Sequence, residues 1–120
     1  MLLDERPNGV AEMIIVRATT FIADQSRDKF VELTQKTIQE SLAEDGCISY
    51  TCSADLSDPA AFHWLEVWRD EKSFAAHWHA DHHTGFLAAL ADQAVVQRAG
   101  TPTASFFSAD EIPLQEALHP

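Results

Sequence analysis

The chain has 120 residues, of which 46% are hydrophobic, and its 19 Asp and Glu against 8 Lys and Arg give a formal net charge of −11. This length and this apolar content are those of one domain with a real core. Because the few basic residues are scattered, the composition argues against nucleic acid and anionic membranes as partners, and it favours a neutral or weakly charged small molecule.

The sequence also indicates a compartment. No apolar run approaches the roughly 18 residues of a membrane helix, and the N-terminal residues lack the basic start and apolar middle of a signal peptide. Cys47 and Cys52 are predicted to lie in one strand, on opposite faces and roughly 16 Å apart. A disulfide needs Cα atoms within about 7 Å, so we expect free thiols and a cytoplasmic protein.

The first half of the chain is predicted to hold a strand and a helix. Residues 1–11 are predicted to be a flexible extension, and the β-branched residues 13–22 the first strand. A helix is predicted over residues 27–44, with Gly46 as its stop. One apolar stripe at helical spacing indicates that this helix covers a sheet; the stripe consists of Phe30, Leu33, Thr37, Ile38 and Leu42.

The second half is predicted to begin with a hairpin. Residues 48–54 and 62–69 have strand composition and are separated by a loop of suitable length. Asp70 is predicted to cap a short helix that ends near residue 79, and Asp81 another that ends near residue 93. The remainder divides into a turn at 97–102, a final strand at 103–108 and a C-terminal tail at 109–120.

The order of these elements is β-α-β-β-α-β, with the second helical region broken in two. It predicts an α+β, ferredoxin-like domain over residues 12–108, with helices on one face of a four-stranded antiparallel sheet. The other face of such a sheet is usually polar. The strand at 62–69 instead places Leu65 and Val67 on it, opposite Trp64 and Trp68. We therefore expect the uncovered face to meet a second subunit in a homodimer.

Residues 62–86 contain the three tryptophans and five of the six histidines of the chain. Glu66 lies mid-strand between two tryptophans, where a charge is costly without a partner. His77 follows Phe74 by three residues, so both should point inward from the same side of a helix. One hypothesis is that Glu66 accepts a hydrogen bond from His77 and makes it a base. The alternatives are an ion pair between Glu66 and an arginine, and a structural core histidine.

The other candidate residues have structural alternatives too. Trp64, Trp68 and Phe86 could be pocket walls or core, and Arg17 and Tyr50 could orient a ligand oxygen or serve the fold. His79 and His83 have the spacing of two metal ligands on one helical face. A helix break at Asp81 and the lack of a signalled third ligand argue against it, so no metal is predicted.

Several short motifs together resemble the antibiotic biosynthesis monooxygenase domain. They are Glu44-Asp-Gly-Cys-Ile-Ser-Tyr50, Asp58-Pro59, Phe62-His-Trp-Leu-Glu66-Val-Trp68, Phe74-Ala-Ala-His77 and His82. The resemblance covers roughly residues 12–108. It implies ferredoxin-like subunits that pair into a dimeric α/β barrel, with a pocket between sheet and helices.

The resemblance also implies a chemistry. Members include quinol monooxygenases that oxygenate polyphenols with molecular oxygen and without flavin or metal, which would make His77 the base and Glu66 its partner. Trp64, Trp68, Phe86, Arg17, Tyr50 and His82 would then bind the substrate. Haem-degrading members differ, since they carry tryptophan at the position of His77 and a haem-ligating histidine at that of Leu87. No cofactor is therefore expected. A non-catalytic binding or stress protein, and a small-metabolite isomerase or lyase using the same pair, remain the alternatives.

Overall fold

The computed structural model describes residues 12–92 and 103–118, with Asp92 described by its backbone alone. The elements are β1 Met13–Phe21, α1 Arg27–Leu42, β2 Cys47–Ala54, β3 Ala61–Trp68, α2 Glu71–Trp78, α3 Asp81–Asp92, β4 Thr103–Ala109 and α4 Leu114–Leu118. A short 3₁₀ turn, Asp24–Ser26, precedes α1. The extension predicted at residues 1–11 and the turn predicted at 97–102 lie outside the described residues. In the tail, α4 was not predicted.

The four strands form one antiparallel sheet in the order β2-β3-β1-β4. With α1 and the α2–α3 pair between the strands along the chain, this is the predicted α+β ferredoxin-like fold. The central strands β3 and β1 pair in register from Ile14 opposite Trp68 to Phe21 opposite Ala61. Because β3 is hydrogen-bonded on both sides, its side chains are held on fixed faces of the sheet.

The two faces of the sheet have different environments. The inner face holds the core, where Val16, Tyr50 and Trp64 are buried and Phe30 reaches them from α1. On the outer face, Leu65 is 44% exposed and Phe107 is 47% exposed. Single exposed apolar residues are ordinary, but Leu65 and Phe107 extend a patch with Ile15 and Val67, which pair with each other across β1 and β3.

The inward side of α1 matches the predicted apolar stripe only in part: Phe30 and Thr37 are buried and Ile38 packs against the core, as predicted. Its buried residues are Phe30, Thr34, Thr37 and Ser41, whereas Leu42 is 50% exposed. Spacings of four, three and four residues keep those four side chains on one line along the helix. The predicted stripe is chosen mainly from apolar residues, but three of the four inward residues are small and polar. The prediction is therefore rotated about the helix axis toward Leu42.

The prediction that the two cysteines lie on opposite faces of the strand is wrong. The pairing of β2 with β3 shifts between Cys47 and Ser49, and the irregularity turns Cys47 inward, so that both cysteines pack against the core. They are free thiols, as predicted. Burial raises the pKa of Cys47 to about 11 and that of Cys52 to about 12, so both stay protonated at neutral pH.

Two local signals position the elements around the site. α1 ends at Leu42 with Ala43 as its C-cap, so Gly46 does not end the helix as predicted; with a φ of +88° it belongs to the turn that leads into β2. The Asp70 carboxylate accepts a 2.8 Å hydrogen bond from the Ser73 N–H and caps α2, as predicted. Within the described ranges, none of the helices is long and apolar enough to cross a membrane.

Candidate active site

A cavity of about 260 Å³ lies between the inner face of the sheet and helices α2 and α3. Its aromatic walls include Phe30, Tyr50, Trp64, Phe74, Phe86 and Phe106. Its polar groups include Glu66, His77 and His83. Ligand pockets typically measure roughly 300–1,000 Å³, so this cavity suits a compact aromatic molecule better than an extended one.

Strand β3 supplies the floor. Alternation along the strand turns Trp64 and Glu66 to the same side, and both line the cavity. The Trp64 indole donates a 3.3 Å hydrogen bond to Thr20 on the neighbouring strand, which fixes the ring. Trp68 is fully buried but lies behind the wall, where its ring packs on His77 with a centroid distance of 4.6 Å. Trp68, predicted as a pocket wall, is therefore not among the residues that line the cavity; it packs on His77 instead.

Helix α2 supplies His77. The side chain is 1% exposed and lines the cavity together with Phe74, one turn earlier, as the i, i+3 spacing predicted. His77 Nδ1 lies 2.5 Å from Glu44 Oε2. His77 Nε2 has no hydrogen-bond partner among the described residues. The contact with the carboxylate favours a proton on Nδ1, which leaves the Nε2 lone pair free to accept one.

The predicted hydrogen bond between Glu66 and His77 is wrong. Glu66 Oε1 lies 3.9 Å from His77 Nε2, beyond hydrogen-bond distance, and it accepts a 3.0 Å hydrogen bond from the Trp68 indole N–H. The partner that sequence reasoning missed is Glu44, which lies between α1 and β2. The only sequence signal for it is its place at the head of the Glu44–Tyr50 motif.

Burial shifts the proton affinities of the site in opposite directions. It raises the pKa of Glu66, and the hydrogen bond from Trp68 only partly offsets this. It lowers the pKa of His77, while the Glu44 carboxylate raises it again. A neutral imidazole supported by a carboxylate is suited to accept a proton near neutral pH.

Two neighbouring histidines of α3 face different spaces. His82, predicted to bind substrate, lines a separate groove of about 570 Å³ between α1 and α3, and its Nε2 lies 3.0 Å from Glu44 Oε2. His83 lines the cavity. Successive side chains on a helix point about 100° apart. A prediction that locates the helix but not its rotation can therefore place His82 in the cavity where the structure places His83.

Among the described residues, Glu44, His77 and His82 form a group that could hold a metal ion, with one ligand atom of each within 4.8 Å of the others. Two ligands bound to one zinc ion at about 2.0–2.2 Å are roughly 3 Å or more apart. The 2.5 Å between His77 Nδ1 and Glu44 Oε2 is instead a hydrogen-bond distance. The contact between Glu44 and His77 is therefore a hydrogen bond, and His82 adds a nitrogen 3.0 Å from the same carboxylate oxygen without a hydrogen bond.

Of the two residues predicted to orient a ligand oxygen, only one is in the cavity. Tyr50 is buried in its wall, and burial raises the pKa of its hydroxyl, so Tyr50 is a neutral group there. Arg17 is exposed on the outer face, with its guanidinium 5.8 Å from the centre of the Phe107 ring. The prediction for Arg17 is wrong because β1 turns Val16, its neighbour, to the inner face.

Comparison with known proteins identifies relatives. The family model described as antibiotic biosynthesis monooxygenase matches residues 13–89, more than half of the chain. An uncharacterised protein of Synechocystis is 28% identical over 85 residues, 71% of this chain and 58% of that protein. The chain thus spans less than two thirds of that relative's length. YcnE of Bacillus subtilis, which bears a provisional monooxygenase name, is 30% identical over 76 residues, 63% of this chain and 80% of that protein.

Solved structures share the fold. A Deinococcus radiodurans protein, provisionally named an antibiotic biosynthesis monooxygenase, superimposes with a TM-score of 0.73 at 24% identity. The match covers 83% of this chain and 95% of that one. At this identity the likeness establishes the architecture of the sheet and helices and nothing about substrates.

Proposed function

Since the chain belongs to the antibiotic biosynthesis monooxygenase family, we propose that it oxygenates a quinol-like or polyphenolic aromatic molecule with molecular oxygen and without a bound cofactor. The observation that carries this proposal is the placement of His77. Its Nδ1 is tied to a carboxylate, and its Nε2 is free of partners within the described residues, in the wall of an aromatic cavity.

The proposed reaction needs a base more than it needs a cofactor. His77 Nε2 takes a hydroxyl proton from the substrate, and the electron-rich anion that results passes an electron to oxygen. Recombination forms a peroxide, which takes the proton back and collapses. For a simple quinol the balance is one quinol plus one O₂ giving one hydroxyquinone plus one water. The substrate supplies all four electrons, one oxygen atom enters the product and the other leaves as water.

The surrounding groups support this chemistry. Glu44 stabilises the imidazolium that forms on His77, as the aspartate does for the histidine of a Ser-His-Asp triad. The aromatic walls exclude water from the anion, and Glu66 offers a polar contact beside His77 Nε2. We assign Trp64 and Phe86 to the substrate-facing wall, with Tyr50 as a hydroxyl donor.

The homodimer predicted from the sequence belongs to this proposal. The apolar patch on the outer sheet face supports it, because exposed apolar side chains grouped on the face away from the cavity are the kind of surface that a subunit contact covers. The cytoplasmic location belongs to it too, and the two free cysteines agree with a reducing compartment.

An oxygen electrode with a panel of reduced quinones tests the proposal. We expect oxygen consumption by the wild-type protein and a loss of roughly 10²–10⁴-fold in kcat for His77→Ala. His79→Ala is the matched control, because His79 is exposed at the end of α2. Equal turnover in His77→Ala and wild type contradicts the assignment. Product formation under nitrogen would indicate an isomerase or lyase, and saturable binding without product would indicate a binding protein.

A further inference from the structure

His83 is a buried polar residue for which the fold provides no partner. Its side chain lines the cavity with 8% of the residue exposed, and its ring contacts those of Trp78 and His77 in tilted arrangements, at centroid distances of 4.9 and 4.6 Å. Neither Nδ1 nor Nε2 has a hydrogen-bond partner among the described residues. Most buried polar atoms in folded proteins have one, so these two nitrogens require an explanation.

A ligand in the cavity would provide it. Burial lowers the pKa of His83 to about 4, with the neighbouring His77 and His82 as further causes, so the ring is neutral at pH 7. A neutral imidazole offers one N–H donor and one lone-pair acceptor. Leaving such groups unsatisfied is costly, and a ligand with a hydroxyl group can satisfy either of them.

The charges around the cavity restrict the ligand further. Glu66 lines the cavity and Glu44 lies directly behind His77. The chain as a whole has a formal net charge of −11, and the described cavity wall contains no lysine or arginine. An anionic ligand would be repelled, so the cavity favours a neutral molecule.

The positions of the two histidines determine where the ligand's polar groups lie. The rings of His77 and His83 are 4.6 Å apart, and both belong to the same side of a cavity whose other walls are largely aromatic. A ligand that contacts both must therefore present its polar groups at one edge, with its apolar part toward Trp64 and Phe86.

We propose that His83 binds the ligand, and that the cavity takes a compact, neutral aromatic molecule with oxygen functions on two adjacent ring atoms, one facing His77 and the other His83. This inference rests on the proposed function for the role of His77, and it specifies the substrate class as catechol-like. His83, rather than its neighbour His82, is then the specificity-determining histidine of α3.

Three ligands of nearly equal size test it: phenol, catechol and hydroquinone, with their dissociation constants measured by ligand-observed NMR under nitrogen. We expect catechol to bind the wild-type protein about tenfold more tightly than either of the others, the effect of one satisfied buried hydrogen bond. His83→Leu should abolish this preference, whereas His83→Gln, which keeps a donor and an acceptor, should retain part of it. His79→Leu is the control and should bind like wild type.

Two results would overturn the proposal. One is a wild-type protein that binds catechol no more tightly than hydroquinone, a result that does not depend on any variant folding. The other is a folded His83→Leu that keeps the preference or loses affinity for all three ligands equally. The binding assay is run under nitrogen, so its result does not depend on turnover. If catechol selectivity depends on His83 but the protein consumes no oxygen in the electrode assay, only the proposed function is refuted.

Discussion

Glu44 accepts a 2.5 Å hydrogen bond from Nδ1 of His77, although the two residues are 33 positions apart in the chain. The carboxylate lies after α1 and the imidazole lies in α2, so the pair forms only when the helices are docked on the sheet. It fixes the imidazole with Nε2 toward Glu66 and the cavity. This is the arrangement that our proposed function assigns to the base and its orienting acid.

Replacement of Glu44 by glutamine is expected to weaken the base. The amide oxygen can still accept from Nδ1, but it cannot stabilise an imidazolium, so kcat should fall by roughly 10- to 100-fold, less than for loss of the base itself. Glu44 raises the pKa of His77, and the active form is the unprotonated one. The acid limb of the kcat/KM profile should therefore move to lower pH. Glu40→Gln, one turn earlier and lining the α1–α3 groove, should leave the profile unchanged.

Replacement of Glu66 by glutamine is expected to stabilise the fold while lowering turnover. Burial raises the pKa of Glu66, so its ionised form opposes folding at neutral pH. The variant should gain about 1 kcal/mol in the free energy of unfolding at pH 7.5, because glutamine can still accept from the Trp68 indole. The gain should vanish as the pH falls and Glu66 becomes protonated in the wild type. Urea denaturation at pH 7.5 and at an acidic pH where Glu66 is protonated measures the difference. A variant that is less stable than wild type at pH 7.5 would contradict the prediction.

Gly46 and Gly85 should respond oppositely to alanine. At Gly46 the backbone has a φ of +88°, and a Cβ would lie 2.5 Å from that of Ser73, so Gly46→Ala should cost about 3 kcal/mol in strain and overlap. At Gly85 a Cβ meets nothing within 4 Å, and Gly85→Ala should stabilise α3 by about 0.5–1 kcal/mol. Thermal unfolding compares the two. Similar midpoints would mean that the turn after α1 tolerates an ordinary residue.

The proposed dimer should depend on the outer sheet face. A glutamate at Leu65 would place a charge within the apolar patch, so we expect Leu65→Glu to elute as a monomer in size-exclusion chromatography with light scattering. Leu56→Glu is the control, because Leu56 is fully exposed in the β2–β3 loop. If the Leu65→Glu variant remains a dimer, the subunit contact lies elsewhere. If the wild-type protein is a monomer, the proposed dimer is excluded.

The fold could be predicted because its signals are local. Strand composition, the Asp70 cap and Gly46 each act within a few residues, and together they determined the order of elements. The inward direction of His77 also followed from one helical turn. The rotation of α1 could not be found in this way, because Thr34 and Ser41 are buried where an apolar count expects leucine.

The site was predicted less completely because its contacts are tertiary. Nothing in the spacing of Glu44 and His77 indicates that they meet, and Glu66 is closer to His77 along the chain than Glu44 is. The choice between His82 and His83 depends on where α3 begins, and an uncertainty of one residue exchanges the two. The face of Cys47 depends on a strand irregularity that composition does not reveal.

Glu44 and His82 lie on the far side of His77 from the cavity and contribute nothing to its walls. The carboxylate that orients the proposed base therefore belongs to the turn after α1, whereas β1 and β4 contribute only to the walls of the cavity. Substitutions in β1 or β4 can thus reshape the cavity while the contact between Glu44 and His77 is retained.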